Sequence, residues 1–244
     1  MVGLSHVGLV RTNNEDYLYT SAKEGIAVVA DGMGGHQAGE VASEMAVEVA
    51  VEELRYTQQF ESSDMMQCLM QVGQAMEMAN THVFRLSRKK PELSGMGTTL
   101  VLTLFRENKL YFAHVGDSRL YRCRGNEFKQ LTRDHSLMQE VLDNDIFPNR
   151  GSAREAGVGD NVLTRSLGHA LDVDVDVDLV ESMPDDTYLL CTDGLYGYVN
   201  DTMLAAILMH KDHSLTDQAS SLLDEAFDGG GKDNISLVLV KMGQ

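Results

Sequence analysis

The stretch GIAVVADGMGGH, residues 25–36, changes character at a single residue, Asp31. Before it, Ile26 to Ala30 form an apolar run of strand length that begins after Gly25. After it, Gly32, Gly34 and Gly35 make a turn that no regular element continues. From about His36 to Leu54, Val41, Ala42, Met45, Ala46, Val49 and Ala50 then recur at helical spacing. A buried strand followed at once by an amphipathic helix predicts a sheet with helices laid on its face.

The same grammar extends outward. Upstream, LSHVGLV (4–10) and DYLYTS (16–21) read as short strands. Downstream, Leu69, Val72, Met76, Ala79, Val83 and Leu86 predict a second long helix. Past Pro91, the segments TTLVLTLF (98–105), KLYFAHVGD (109–117) and SRLYRCRG (118–125) predict three successive strands. Residues 135–170 are polar, glycine-bearing and without clear periodicity, and are expected to be a mobile insertion or a loop subdomain. DVDVDVDLV (172–180) alternates strictly, which places its valines on one face and Asp172, Asp174, Asp176 and Asp178 on the other. No chelating loop follows it, so a solvated edge strand is expected rather than a calcium site. TYLLCTD (187–193) is a buried strand, helices open near Asp201 and Ser214, and ISLVLVKM (235–242) is a last strand after the turn Gly229–Gly231.

The 244 residues contain three prolines and no proline-rich linker, which favours one domain over 1–244. A net charge of −17 argues against nucleic acid or an anionic membrane as the main partner. No apolar run reaches the roughly 18–20 residues that span a bilayer, and MVGLSHVGLVRTNNED lacks the pattern of a secretory leader. Cys68, Cys123 and Cys191 are odd in number and widely spaced, so free thiols in a reducing cytoplasm are expected. None of them has an arginine six positions on, and no G-x-x-x-x-G-K-[ST] occurs, which excludes a cysteine-phosphate loop and a P-loop.

The chemistry lies in the aspartates. Asp31, Asp117 and Asp193 each stand where an apolar strand meets a turn, and Asp233 stands just before a strand. Carboxylates gathered on one rim of a sheet repel and raise one another's pKa. Hard divalent cations such as Mg²⁺ and Mn²⁺ relieve that repulsion, since they favour oxygen ligands.

RTNNED (11–16), VVADGMGGH (28–36), GMGTT (95–99), VGDSRLY (115–121), LTRDHS (131–136), TRSLG (164–168), CTDGL (191–195) and KDNIS (232–236) occur in an order that resembles the metal-dependent, protein phosphatase 2C-like family, in its compact bacterial form. The resemblance implies an α+β fold, a four-layer α-β-β-α sandwich of two antiparallel sheets flanked by helices, with a flap at about 136–160. It implies a centre of two Mn²⁺ or Mg²⁺ ions. Asp31 bridges them, the Gly32 carbonyl binds one, and Asp193 and Asp233 complete the other. Glu15 and Asp16 act through coordinated waters, and Asp117 with Asp193 forms a third, weaker site. Such a centre also reconciles the acidic chain with an anionic substrate.

The expected reaction is hydrolysis of phosphoserine and phosphothreonine in proteins, opposed by a serine/threonine kinase, by a monomeric enzyme. Two cations acidify a water that attacks phosphorus in line, while Arg11 grips two phosphate oxygens with its planar fork. His36 is the candidate proton donor to the leaving oxygen. His114 and His135 read as structural residues with no carboxylate assigned to them, Arg165 as a brace for the site or flap, and Thr98 and Thr99 as framework. Two other readings stay open at this point: a non-catalytic phosphopeptide-binding module, and a two-metal phosphodiesterase on the same fold.

Overall fold

The computed structural model describes residues 1–35, 38–58, 64–210 and 212–243. In chain order its elements are β1 (Val2–His6), β2 (Asp16–Ser21), β3 (Ile26–Met33), α1 (Ala38–Gln58), α2 (Met65–Lys89), a 3₁₀ turn (Pro91–Leu93), β4 (Gly97–Thr98) and β5 (Leu100–Arg106). There follow β6 (Lys109–Val115), β7 (Arg119–Arg124), β8 (Glu127–Gln130), α3 (Leu137–Asp143), α4 (Arg150–Glu155) and β9 (Asp176–Glu181). The chain closes with β10 (Thr187–Cys191), α5 (Asp193–Tyr196), α6 (Asp201–Leu208), α7 (Leu215–Asp228) and β11 (Ile235–Lys241).

One sheet runs β1-β11-β10-β7-β8; the other runs β2-β3-β5-β6-β9, with β4 pairing β3. All the strand pairs are antiparallel. The fully apolar strands are so because they are covered on both faces. On β3, Ile26, Val28 and Ala30 pack with Ala42, Ala46 and Val72 of the helices, whereas Ala27 and Val29 point into the space between the sheets. On β11, Val238 and Val240 meet Ala27 and Val29 there, while Leu237 and Leu239 pack with Leu222 and Ala226 of α7 on the far side. The result is the four-layer α-β-β-α sandwich.

Local chemistry sets the helix starts. Asp64 caps α2 by accepting from the Met66 N–H at 3.0 Å, and Ser214 and Asp217 form a reciprocal capping box at α7.

Three expectations change. The first strand ends at His6 and does not run to residue 10, because Gly8 takes φ 82° and turns the chain toward the Asp233 carbonyl. The segment expected to be irregular holds α3 and α4, capped by Ser136 and Asn149, around a small core of Met138, Val141 and Ala153. Of the alternating segment, Asp176 onward is strand, at the edge of its sheet as expected, while Asp172 and Asp174 precede it. β8 was not expected at all.

Candidate metal centre

Antiparallel pairing of β2 with β3 sets Asp16 directly opposite Asp31. Asp193 begins α5 one residue after Thr192 follows β10, and Asp117 sits in the turn after β6. Asp31, Asp117 and Asp193 line one cavity of about 680 Å³, and Asp117, Asp193 and Asp233 line a second of about 330 Å³ on the neighbouring side. Thus five acidic residues from five separate segments meet at one edge of the sandwich.

Their mutual field is visible in their proton affinities. Burial, then the Asp193 and Asp233 charges, push Asp16 up to about 7 against hydrogen bonds from Ser236 and Thr192. Burial and Asp193 push Asp117 up to about 7, and burial with Asp233 pushes Asp193 up to about 6. Asp31 is raised well above the carboxylate range by burial, then by Asp16, Asp193, Asp117 and Asp233 in turn. Burial also raises Glu15. Asp16 Oδ1 is buried with no hydrogen-bond partner among the described residues. Crowded carboxylate oxygens, one of them unsatisfied, with neither thiolate nor imidazole in the set, fit hard divalent cations such as Mn²⁺ and Mg²⁺.

The framework around these groups is tightly specified. Asp31 N donates to Thr99 Oγ1 at 3.0 Å, and the Asp31 carbonyl accepts from Thr99 N at 2.9 Å and from Thr98 Oγ1 at 2.9 Å. The threonines expected to be framework therefore fix the Asp31 backbone from both sides. A Cβ on Gly32 would come within 2.1 Å of the Gly39 carbonyl oxygen and 2.6 Å of that of Glu15, so only glycine fits there. The Glu15 carbonyl accepts from Gly32 N at 3.0 Å and from Ser43 Oγ at 2.6 Å.

Arg11, half exposed, places Nη2 2.9 Å from Asp233 Oδ2. His36 lies outside the described residues.

Sequence reasoning did not single out three of the residues that hold this centre. Thr192 Oγ1 donates to Asp16 Oδ2 at 2.9 Å. Asn234 accepts from Glu15 N at 2.8 Å and donates to the carbonyls of Val7 at 3.0 Å and Asn13 at 2.9 Å. Asp134 takes a bidentate Arg119 at 2.6 and 2.9 Å, which lays that guanidinium 3.6 Å over the Tyr196 ring. Thr192 and Asn234 stand inside motifs already quoted, beside Asp193 and Asp233, and that adjacency was the available signal.

The family model for protein phosphatase 2C matches residues 2–228. The chain belongs to the protein phosphatase 2C family. Among curated members it is 35% identical over 237 residues to the serine/threonine phosphatase stp of Listeria monocytogenes, covering 96% of this chain and 92% of that one. It is 35% identical over 235 residues to the serine/threonine protein phosphatase PstP of Mycobacterium tuberculosis, covering 95% of this chain and 43% of that longer one. Among solved members of the phosphatase family, the catalytic domain of PstP in complex with two manganese ions superposes with a TM-score of 0.86 at 34% identity, covering 100% of this chain and 97% of that one.

Proposed function

We propose that residues 1–244 form one catalytic unit whose centre is Asp31, Gly32, Asp117, Asp193 and Asp233, with Glu15, Asp16 and Arg11 around them. The chain is a metal-dependent protein serine/threonine phosphatase that uses Mn²⁺ or Mg²⁺. The observation that carries the residue assignment is the convergence of Asp16, Asp31, Asp117 and Asp193 with their proton affinities raised together, a state that bound cations reverse.

Bound at these carboxylates, the ions supply positive charge against the phosphoryl group and bring the deprotonation of water near neutral pH. Everything else is done by the chain. Asp31, Asp193 and Asp233 offer the oxygen ligands, and Asp117 adds one for a third, weaker site. Gly32 lets the backbone approach where any side chain would collide. Thr192 and Asn234 hold Asp16 and the 7–15 loop in register. Arg11 is aligned by Asp233, and its side chain is half exposed, which suits it to grip a phosphate.

Substrate proteins carrying phosphoserine or phosphothreonine, an opposing serine/threonine kinase, a monomeric state and a cytoplasmic location complete the proposal. The three cysteines are buried free thiols, and no helix among the described residues is long and apolar enough to cross a membrane.

The test is turnover of a phosphothreonine peptide against a phosphate bis-ester, each with Mn²⁺ and with excess EDTA. Mn²⁺-dependent hydrolysis of the peptide is expected. Faster turnover of the bis-ester would make the chain a phosphodiesterase, and binding without turnover would make it a phosphopeptide module.

A further inference from the structure

Away from the acidic rim, His114 of β6, His135 of the 131–136 turn and Asp176 of β9 bring their polar atoms within 4.8 Å of one another. A second metal site is the obvious reading, and the geometry rejects it. His135 Nδ1 accepts from Gly116 N at 3.2 Å, so the proton of the neutral ring sits on Nε2. That Nε2 faces Asp176 Oδ2 at 3.3 Å as a donor, with no lone pair to offer a cation. The Arg165 guanidinium already occupies the space, 2.8 Å from Asp176 Oδ1 and 3.3 Å from His135 Nε2. The two imidazoles are stacked, centroids 4.7 Å apart at 19°, and His114 Nε2 donates to the Arg133 carbonyl at 2.9 Å, which leaves only its buried Nδ1 without a partner among the described residues.

What the cluster does is connect. We propose that His135 is a positioning residue that ties Asp117, through Gly116, to the strap of residues 162–169, through the Asp176–Arg165 pair. This rests on the reading of Asp117 as a metal ligand.

The Asp117 end is tightly held. The Gly116 carbonyl accepts from His135 N at 2.9 Å, and the Gly116 N–H donates to the same residue's ring. Gly116 has φ 105°, and a Cβ there would lie 2.6 Å from Thr99 Cβ. Gly116 is therefore clamped between Thr99, which also holds Asp31, and His135. Its next peptide carries Asp117.

The strap end is held as well. Leu137 N donates to the Val162 carbonyl at 2.8 Å, and Thr164 N to the His135 carbonyl at 2.9 Å. Leu167 exchanges hydrogen bonds of 3.1 and 2.9 Å with Thr98. Arg165 lies between these anchors, and the strap walls the same cavity as Asp31, Asp117 and Asp193. Burial and the stacked His114 lower the His135 proton affinity to about 4, so the ring keeps its one-acceptor, one-donor assignment at neutral pH.

Asparagine and glutamine each reproduce one half of this ring. In His135→Asn, the side-chain oxygen stands where Nδ1 stood and accepts from Gly116. In His135→Gln, the side-chain NH₂ stands where Nε2 stood and donates to Asp176. Free Mn²⁺ measured by electron paramagnetic resonance during titration of the stripped protein reports the Asp117 end. Amide hydrogen exchange at Thr164 and Leu167 reports the strap.

His135→Gln is expected to weaken the weakest Mn²⁺ binding step about three- to tenfold, the effect of one lost hydrogen bond, with strap exchange as in the native protein. His135→Asn is expected to do the reverse. Asp176→Asn, at a side chain 45% exposed and so free of folding risk, should match His135→Asn. Asn and Gln variants that behave alike in both measurements would overturn the proposal. Asp117→Asn supplies the control. If it weakens Mn²⁺ binding while His135→Gln does not, the coupling fails alone. If Asp117→Asn binds Mn²⁺ as the native protein does, the ligand reading fails and the proposal goes with it.

Discussion

Asn234 makes three hydrogen bonds to the loop that carries Arg11 and Glu15, and its side chain is almost wholly buried. Asn234→Ala leaves one N–H and two carbonyls without that partner. At about 1 kcal/mol for each lost bond, a loss near 3 kcal/mol is expected in urea unfolding, with weaker phosphate binding besides. Unchanged stability would show that water replaces the amide at no cost. Arg11→Lys keeps the charge but loses the fork. A fall of about ten- to hundredfold in kcat/KM on a phosphothreonine peptide is expected, the value of one charge-assisted bond. Equal kinetics would mean that Arg11 does not touch phosphate. Asp31→Asn removes a carboxyl whose ionised form is opposed by burial and then by four neighbouring carboxylates. It should abolish turnover and yet raise the melting temperature of the metal-stripped protein at neutral pH, by about 2–4 °C for each kcal/mol of repulsion relieved. A lower melting temperature would mean that the carboxylates do not strain one another.

At the scale of elements, the flap has a core of its own, and that makes it separately vulnerable. Met138 is fully buried against Val141 and Ala153. Met138→Ala should loosen α3 and α4 without touching the carboxylates. The ratio of kcat/KM on a phosphopeptide to that on a small aryl phosphate should then shift about tenfold, or 1.4 kcal/mol, at constant Mn²⁺ affinity. Parallel losses on both substrates would show that the flap supports the centre itself. The flap is also where the sequence was least legible. α1 and α2 are long enough to show several helical turns of apolar recurrence, whereas α3 and α4 have about two turns each, too few for a period to emerge. β8 alternates charged and half-buried residues over four positions and was hidden by its charge. The aspartates at strand ends were legible because a strand end is a local event. Their holders were not, since Thr192 meets Asp16 and Asn234 meets Glu15 across nearly the whole chain. The Asp176 carboxylate on His135 corrects the expectation that no acid serves that histidine; the pairing of β6 with β9 sets Asp176 opposite His114, the ring stacked on His135.

For the whole molecule, the raised carboxylates set how stability responds to pH. Asp16 and Asp117 at about 7 and Asp193 at about 6 lie above the 3.8 of a free aspartate. Between those limits the folded state holds protons that the unfolded state has released, so stability falls as pH rises. The contribution is complete below about pH 4 and is lost by the time pH has passed about 7. In EDTA the melting temperature should therefore decline from pH 5 to pH 8. Added Mn²⁺ should raise it most at the upper end, because cations bind the ionised carboxylates and must displace protons lower down. A flat profile in EDTA, or an equal Mn²⁺ effect at both ends, would remove the electrostatic account of the centre.

The pairing of β1 with β11 carries a consequence for the birth of the enzyme. Arg11, Glu15, Asp16 and Asp31 leave the ribosome long before Asp233. Arg11 and its carboxylate partner are 222 positions apart. At about 5–20 residues per second, roughly ten to forty seconds separate the synthesis of the two. Through that interval β1 has no strand to pair with and the 7–15 loop has no Asn234 to hold it. On that assignment of the centre, a nascent chain is expected to be catalytically silent until β11 closes the sheet. With Asp233 read as a metal ligand, a chain cut short before it is expected to remove no phosphate in a turnover assay.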